Sequence, residues 1–270
     1  MKADLHIHSN VSDCSDSIAD IIILAKKRKL DAIAITDHDT MSHLEKLPLD
    51  PDIRIIGGIE ISAIHSKTKT RTHILGYNIK KPEIVSSLTK PILEARNENS
   101  EKQVRFLRQF GCLIDSKKLA RADGKYLYKQ HIMDWLVTTG QVPDMFGDFY
   151  QKAFKAGGLC AFDIKYVGVC EAIRAIKEAG GLAVLAHPGQ QQNFRIIPEL
   201  VKIGLDGLEL NHHSHSEKDR DTIRNYAERF NLFLTGGSDY HGRYEPNAYK
   251  IGDYLSDESG INAIINDSAL

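Results

Sequence analysis

Five short apolar runs in this chain end in side chains that can bind metal ions. The first is Asp4-Leu5-His6-Ile7-His8-Ser9. Leu5 and Ile7 alternate with His6 and His8, the period of a β-strand, so the two imidazoles share a face. Neutral imidazole is the commonest metal ligand among side chains. One His-x-His pair also fits a solvated strand end, so recurrence carries the argument. An apolar run from Ala32 ends in Thr36-Asp37-His38-Asp39, and one from Ile53 ends in Gly58-Ile59-Glu60. A fourth runs from Leu182 to Ala186-His187-Pro188, and the last from Leu232 to Ser238-Asp239-Tyr240-His241. Reactive side chains at the C-terminal ends of successive strands mark the active face of parallel barrels.

Those strand ends need elements between them. Ser17 or Asp16 can cap a helix running to about Lys29, with Ile18, Ile21, Ile22 and Ala25 at helical spacing. Strands are expected over 31–36 and up to Gly58, with a helix near Thr40 or Ser42 between them. Residues 60–77 read as a hairpin whose second arm, Thr72-His73-Ile74-Leu75-Gly76-Tyr77, brings in one more imidazole. A long amphipathic helix spans about Lys90 to Gln109. Residues 112–160 interrupt the alternation. Asp115–Leu119, Tyr126–Gly140 and Met145–Ala156 all have helical character and no strong strand stands among them. Helices at 168–179, 195–203 and 216–230 then alternate with strands at 182–186, 206–210 and 232–235, before a closing helix near 256–266. We therefore expect a parallel sheet or barrel in two parts, 1–111 and 161–270, around a helical insert at 112–160 that caps the site.

Composition narrows the class. The chain has 270 residues, 42% hydrophobic and 26% charged, as in globular proteins. Its formal net charge of -1 gives no bulk electrostatic drive toward nucleic acid or membrane. No apolar run approaches the ~20 residues of a membrane span, and Met1-Lys2-Ala3-Asp4 lacks the apolar core of a signal peptide. Cys14, Cys112, Cys160 and Cys170 form no Cys-x-x-Cys pair, so free thiols in a reducing cytoplasm are expected. Asp4 is read as an acceptor that orients a ligand, and Asp39 as a helix cap or imidazole partner. His43 and His65 are read as surface residues. One of His212, His213 and His215 is read either as a substrate contact or as part of a solvated loop.

Taken together, Asp4–Ser9, Thr36–Asp39, Gly58–Glu60, His73–Tyr77, Ala186–Gly189 and Gly237–Gly242 resemble the polymerase and histidinol phosphatase (PHP) family, over nearly the whole chain. The resemblance is strongest to small stand-alone phosphoesterases with a helical insertion. It implies a distorted TIM-like (β/α)7 barrel with a trinuclear site for divalent metal ions. His6, His8, Glu60 and Asp239 would hold one ion, and Asp13, His38 and His241 a second. Glu60 would bridge to a third, held by His73 and His187. Mixed imidazole and carboxylate ligands suit Mn, Fe or Zn. The implied nucleophile is a hydroxide bridging the ions, with no Ser or Cys required. Similar enzymes carry Arg-x-His in the insert, matched here by Lys129 and His131; Arg243 and Arg195 are further candidates to clamp phosphate. The expected substrate is a small phosphate ester, a nucleoside monophosphate or 3′,5′-bisphosphate. The alternatives are a cyclic sugar phosphate such as 5-phosphoribosyl 1,2-cyclic phosphate, and histidinol phosphate. A nucleic-acid-binding module ranks below these, and no stable nucleic-acid partner is expected.

Overall fold

A computed structural model describes residues 1–155, 157–244 and 249–266. Seven strands follow one another around a nearly closed sheet: β1 (Ala3–Ile7), β2 (Ala32–Ile35), β3 (Arg54–His65), β4 (Thr70–Tyr77), then β6 (Leu182–Leu185), β7 (Gly207–Asn211) and β8 (Phe233–Gly236). The two-residue strand β5 (Val167–Gly168) pairs beside β3. All neighbours are parallel except β4, which runs against both β3 and β6. The seam is drawn together just beyond β8, where the Asp239 N–H donates to the His6 carbonyl at 2.9 Å and the His8 N–H to the Tyr240 carbonyl at 3.0 Å. A Cβ at Gly237 would lie 2.4 Å from the His6 nitrogen, so only glycine permits this approach.

β3 is the longest strand because it serves two partners. Its first half pairs with β2, from Arg54 to Gly57, and the rest with β4, from Gly58 to His65. Glu60 stands near the change-over. In β1 the register shifts between Asp4 and Ile7. Ala3 and Leu5 pack in one buried cluster with Ala34, Leu75 and Val184, while Ile7 packs with Ile33, Ile35 and Ile21 in another. The irregularity thus turns His6 and His8 to the site face and takes Asp4 off it.

Helix α1 (Ile18–Lys27) begins as expected, with Ser17 and Asp20 forming a capping box. Helix α2 (Pro82–Gln109) starts a full two turns earlier than expected. Pro82 occupies its first turn, where a missing N–H costs nothing, and Pro91 lies inside it. The helix expected after Thr40 is one short 3-10 segment, Ser42–Lys46. In the interrupting segment, Asp115–Leu119 forms turns rather than a helix. Helix α3 (Lys129–Thr138) and helix α4 (Asp148–Phe154) do form, and Ala156 lies outside the described residues. Both pack with Val104 and Leu107 of α2 in a cluster of their own. Helices α5 (Val169–Glu178), α6 (Pro188–Gln191), α7 (Ile197–Val201), α8 (Glu217–Phe230) and α9 (Glu258–Ile261) follow, and a π-helical segment, Asn262–Asn266, ends the described residues. Pro198 in the first turn of α7 confines that helix to a shorter span than expected. Each fully buried Ile or Leu in these layers contributes about 2 kcal/mol. Among the described residues no helix is long and apolar enough to cross a membrane.

Candidate metal centre

Glu60 is the hub of the site. Its Oε2 lies 3.2 Å from His8 Nε2, 3.2 Å from His38 Nδ1 and 3.4 Å from His6 Nε2. Its Oε1 lies 2.8 Å from both His73 Nδ1 and His187 Nε2. Asp239 Oδ1 completes one side, 3.3 Å from His6 Nε2 and 3.1 Å from His8 Nε2. Asp13 Oδ1 completes the other, 3.4 Å from His241 Nε2 and 3.7 Å from His8 Nδ1. All nine residues singled out as ligands therefore converge at one end of the barrel. Four sets have donor atoms close enough to hold an ion: His6, His8, Glu60 and Asp239; His8, Asp13, His38 and His241; His38, Glu60 and His73; and His212, His213 and Asp239.

The donor chemistry fits divalent metal. His8 Nδ1, Asp13 Oδ1, His38 Nδ1 and Asp239 Oδ1 are buried, face the cluster and have no hydrogen-bond partner. Such groups are costly to bury unless something coordinates them. Despite burial, the surrounding imidazoles hold the Glu60, Asp13 and Asp239 carboxyls well below the usual range, so each is ionised and able to bind a cation. Burial pushes His38 down to about 4, the neutral form that coordinates metal.

Several neighbours behave differently from the sequence reading. Asp4 orients backbone and no imidazole ring: its carboxylate accepts from the N–H groups of His6, Ser238 and Gly252 at 3.3, 3.0 and 2.8 Å, so it steadies the His6 ligand through the main chain. Asp39 neither caps a helix nor holds an imidazole. It pairs with Arg96 of α2 at 2.7 Å and accepts the Ser62 N–H at 2.8 Å. His43 is fully buried, its Nδ1 3.1 Å from Asp37 Oδ2. Asp37 also accepts from the hydroxyls of Ser9 and Ser12, which pins the loop carrying Asp13. His65 is buried against Thr68. Of the three late histidines, His212 reaches the centre. Its Nδ1 accepts the Ser214 N–H at 3.2 Å, which leaves Nε2–H to face Asp239 Oδ2 at 3.3 Å. Cys14 is a buried core residue whose thiol burial pushes well above its usual range, so it is no nucleophile.

The reading missed Glu209. This carboxylate is fully buried in β7, 2.9 Å from His6 Nδ1, and burial is outweighed by His6 so that its pKa falls to about 2. A charged residue within Leu208-Glu209-Leu210 was the available signal.

Beside the cluster lies a basic cavity of about 320 Å³, lined by Arg71, Arg96, Tyr128, Lys129, Lys155 and Tyr166 among others. Two of its lining residues reach the centre: Gln130 Nε2 donates to Asp13 Oδ2 at 2.7 Å, and the Tyr128 hydroxyl to the His38 carbonyl at 3.2 Å. Burial, with Arg96 nearby, pushes the Lys129 ammonium down to about 8. His131 is buried, and its Nδ1 accepts the Tyr128 N–H at 3.1 Å. Arg243 forms a two-pronged pair with Asp134 at 2.7 and 2.8 Å. Arg195 is exposed in the 3-10 turn Phe194–Ile196, outside the residues that line the cavity.

A barrel whose strand ends gather histidines and carboxylates in this way defines a class of metal-dependent hydrolases. The PHP domain family matches residues 4–235, and the chain belongs to it. It is a metal-dependent phosphoesterase. It is 38% identical over 251 residues to phosphoribosyl 1,2-cyclic phosphate 1,2-diphosphodiesterase of Eggerthella lenta, covering 90% of this chain and 95% of the relative. It is 29% identical to 3′,5′-nucleoside bisphosphate phosphatase of Chromobacterium violaceum, covering 88% and 86%. Among solved structures, a provisionally assigned metal-dependent phosphoesterase of Bifidobacterium adolescentis matches with a TM-score of 0.84 and 27% identity, over 98% of this chain and 95% of that one.

Proposed function

We propose that the chain hydrolyses a small cyclic sugar phosphate of the phosphoribosyl type, opening the diester and then releasing phosphate from the monoester. The observation that carries this reading is the small basic cavity that borders the histidine–carboxylate cluster. Its volume is at the low end for ligand sites. A compact sugar phosphate suits it better than an extended nucleic acid. The 38% identity to the Eggerthella lenta enzyme supports the same substrate class. A nucleoside 3′,5′-bisphosphate is the second reading, supported by the Chromobacterium violaceum relative.

In this reading His6, His8, Glu60 and Asp239 hold one ion and Asp13, His38 and His241 a second, while Glu60, His73 and His187 hold a third. Bound divalent ions supply a lowered pKa for water and neutralise phosphoryl charge. The protein provides no nucleophile of its own. In each step oxygen from water bonds to phosphorus, one P–O ester bond breaks, and the departing alkoxide takes up a proton. Segment 112–160 caps the site, and Lys129 supplies positive charge to the phosphate. His131 supports Lys129 by fixing the first turn of α3, and Arg243 ties the cap to the strand-end loop through Asp134.

The deciding experiment is phosphate release with Mn²⁺ from a panel of cyclic ribose phosphate, nucleoside 3′,5′-bisphosphate, nucleoside monophosphate, histidinol phosphate and short RNA. The expected result is highest kcat/KM on the cyclic sugar phosphate, with all turnover lost in chelator and restored by Mn²⁺. A bisphosphate preferred by tenfold or more would move the assignment to the second reading.

Lys129 gives the reading a pH signature. Its folded pKa of about 8 lies below its ordinary value, so it loses its charge as pH rises through about 8. Because kcat/KM reports the free enzyme, it should fall on that limb. Lys129→Arg, which keeps its charge, should shift the fall beyond pH 10. An unchanged limb in Lys129→Arg would remove Lys129 from the substrate site.

A further inference from the structure

We infer that Glu209 is a positioning residue that governs two metal sites at once, an inference that rests on the ligand set proposed above. Glu209 touches none of the reacting atoms and stands behind the cluster in β7, fully buried. Its two oxygens have separate duties. Oε1 lies 2.9 Å from His6 Nδ1, and Oε2 accepts the backbone N–H of His187 at 2.7 Å. A carboxylate can only accept, so with an ion bound at Nε2 the one ring proton of His6 would sit on Nδ1, and Nε2 is the nitrogen that faces Glu60 and Asp239. The second contact steadies a backbone that side chains rarely adopt: His187 has φ 26° and ψ 58°. That conformation aims the His187 ring, placing Nε2 2.8 Å from Glu60 Oε1. His6 and His187 belong to different proposed ions, so one buried carboxylate sets the donor atom of one ligand and the direction of another.

Glu209→Gln tests this without changing shape. Two N–H donors need two acceptor oxygens, and a carboxamide has one. Whichever way it is turned, its NH2 group confronts either the His6 ring proton or the His187 N–H. Mn²⁺ titration of the metal-stripped full chain, with elemental analysis after loading, should show affinity weakened roughly 10–100-fold and fewer ions retained than in wild type. Circular dichroism establishes that the variant is folded. Equal Mn²⁺ affinity and stoichiometry in the two proteins would overturn the role of Glu209 alone. Wild type that binds no Mn²⁺ would overturn the ligand set, and this inference with it. If the variant does not fold, the wild type still decides. In Zn²⁺-loaded protein with ¹⁵N-labelled histidine, the His6 proton must appear on Nδ1, shielded from exchange; a proton on Nε2 would overturn the assignment.

Discussion

Glu60→Gln will lower turnover by roughly 10³-fold or more while leaving the fold in place. A loss of that size corresponds to about 4 kcal/mol of transition-state stabilisation. Glu60 makes close contact with five imidazoles, from His6, His8, His38, His73 and His187. No other side chain in the cluster touches so many. A neutral amide there would remove the charge that, in the proposed site, Glu60 supplies to the ions. The strand itself survives, because the backbone of Glu60 is tied independently: its N–H donates to the Asp37 carbonyl at 3.2 Å and its carbonyl accepts the Asp39 N–H at 2.9 Å. Steady-state kinetics with Mn²⁺ and circular dichroism check both halves. Activity within tenfold of wild type would separate Glu60 from the chemistry.

Arg96→Leu will have the largest effect on stability. Asp39 is fully buried, and Arg96, mostly buried, is its ion-pair partner at 2.7 Å. The guanidinium also donates to Ser62 Oγ at 3.1 Å and lies 5.1 Å from the centre of the Tyr128 ring. Deleting one partner of a buried pair strands the other charge, which costs about 3–5 kcal/mol. For a chain of this length the melting temperature should fall by roughly 10 °C. Asp39→Asn in the Arg96→Leu background should recover part of the loss, since it removes the stranded charge. A change below about 1 kcal/mol would mean that Asp39 finds another partner. The pair also joins α2 to the strand end that bears His38, so metal affinity should weaken alongside stability.

The contrast between Glu60 and Arg96 shows what a sequence can reveal. The strand-end residues stand out because short apolar runs end abruptly in His, Asp and Glu, and that pattern is local. The same locality exposes the Ser17 cap and the hairpin that carries His73. Arg96 was invisible because on an amphipathic helix a charged residue reads as solvent-facing, and its partner lies 57 positions away. His43 and His65 were placed at the surface for the same reason: their burial is decided by distant segments. Strand alternation would put Asp4 on the face of His6, and the register shift in β1 breaks that alternation. Glu209 carries a local signal, a charge between two leucines, but its partner His6 lies 203 positions away. Helix starts failed where two prolines, Pro82 and Pro91, could each begin α2.

The central claim is that Glu60 and its neighbours hold divalent ions at the strand ends. Anomalous diffraction from Mn²⁺-loaded crystals tests it most directly. We expect peaks between His6, His8, Glu60 and Asp239, between Asp13, His38 and His241, and beside Glu60, His73 and His187. Anomalous density confined to other surfaces, with Glu60 still in contact only with protein, would contradict it.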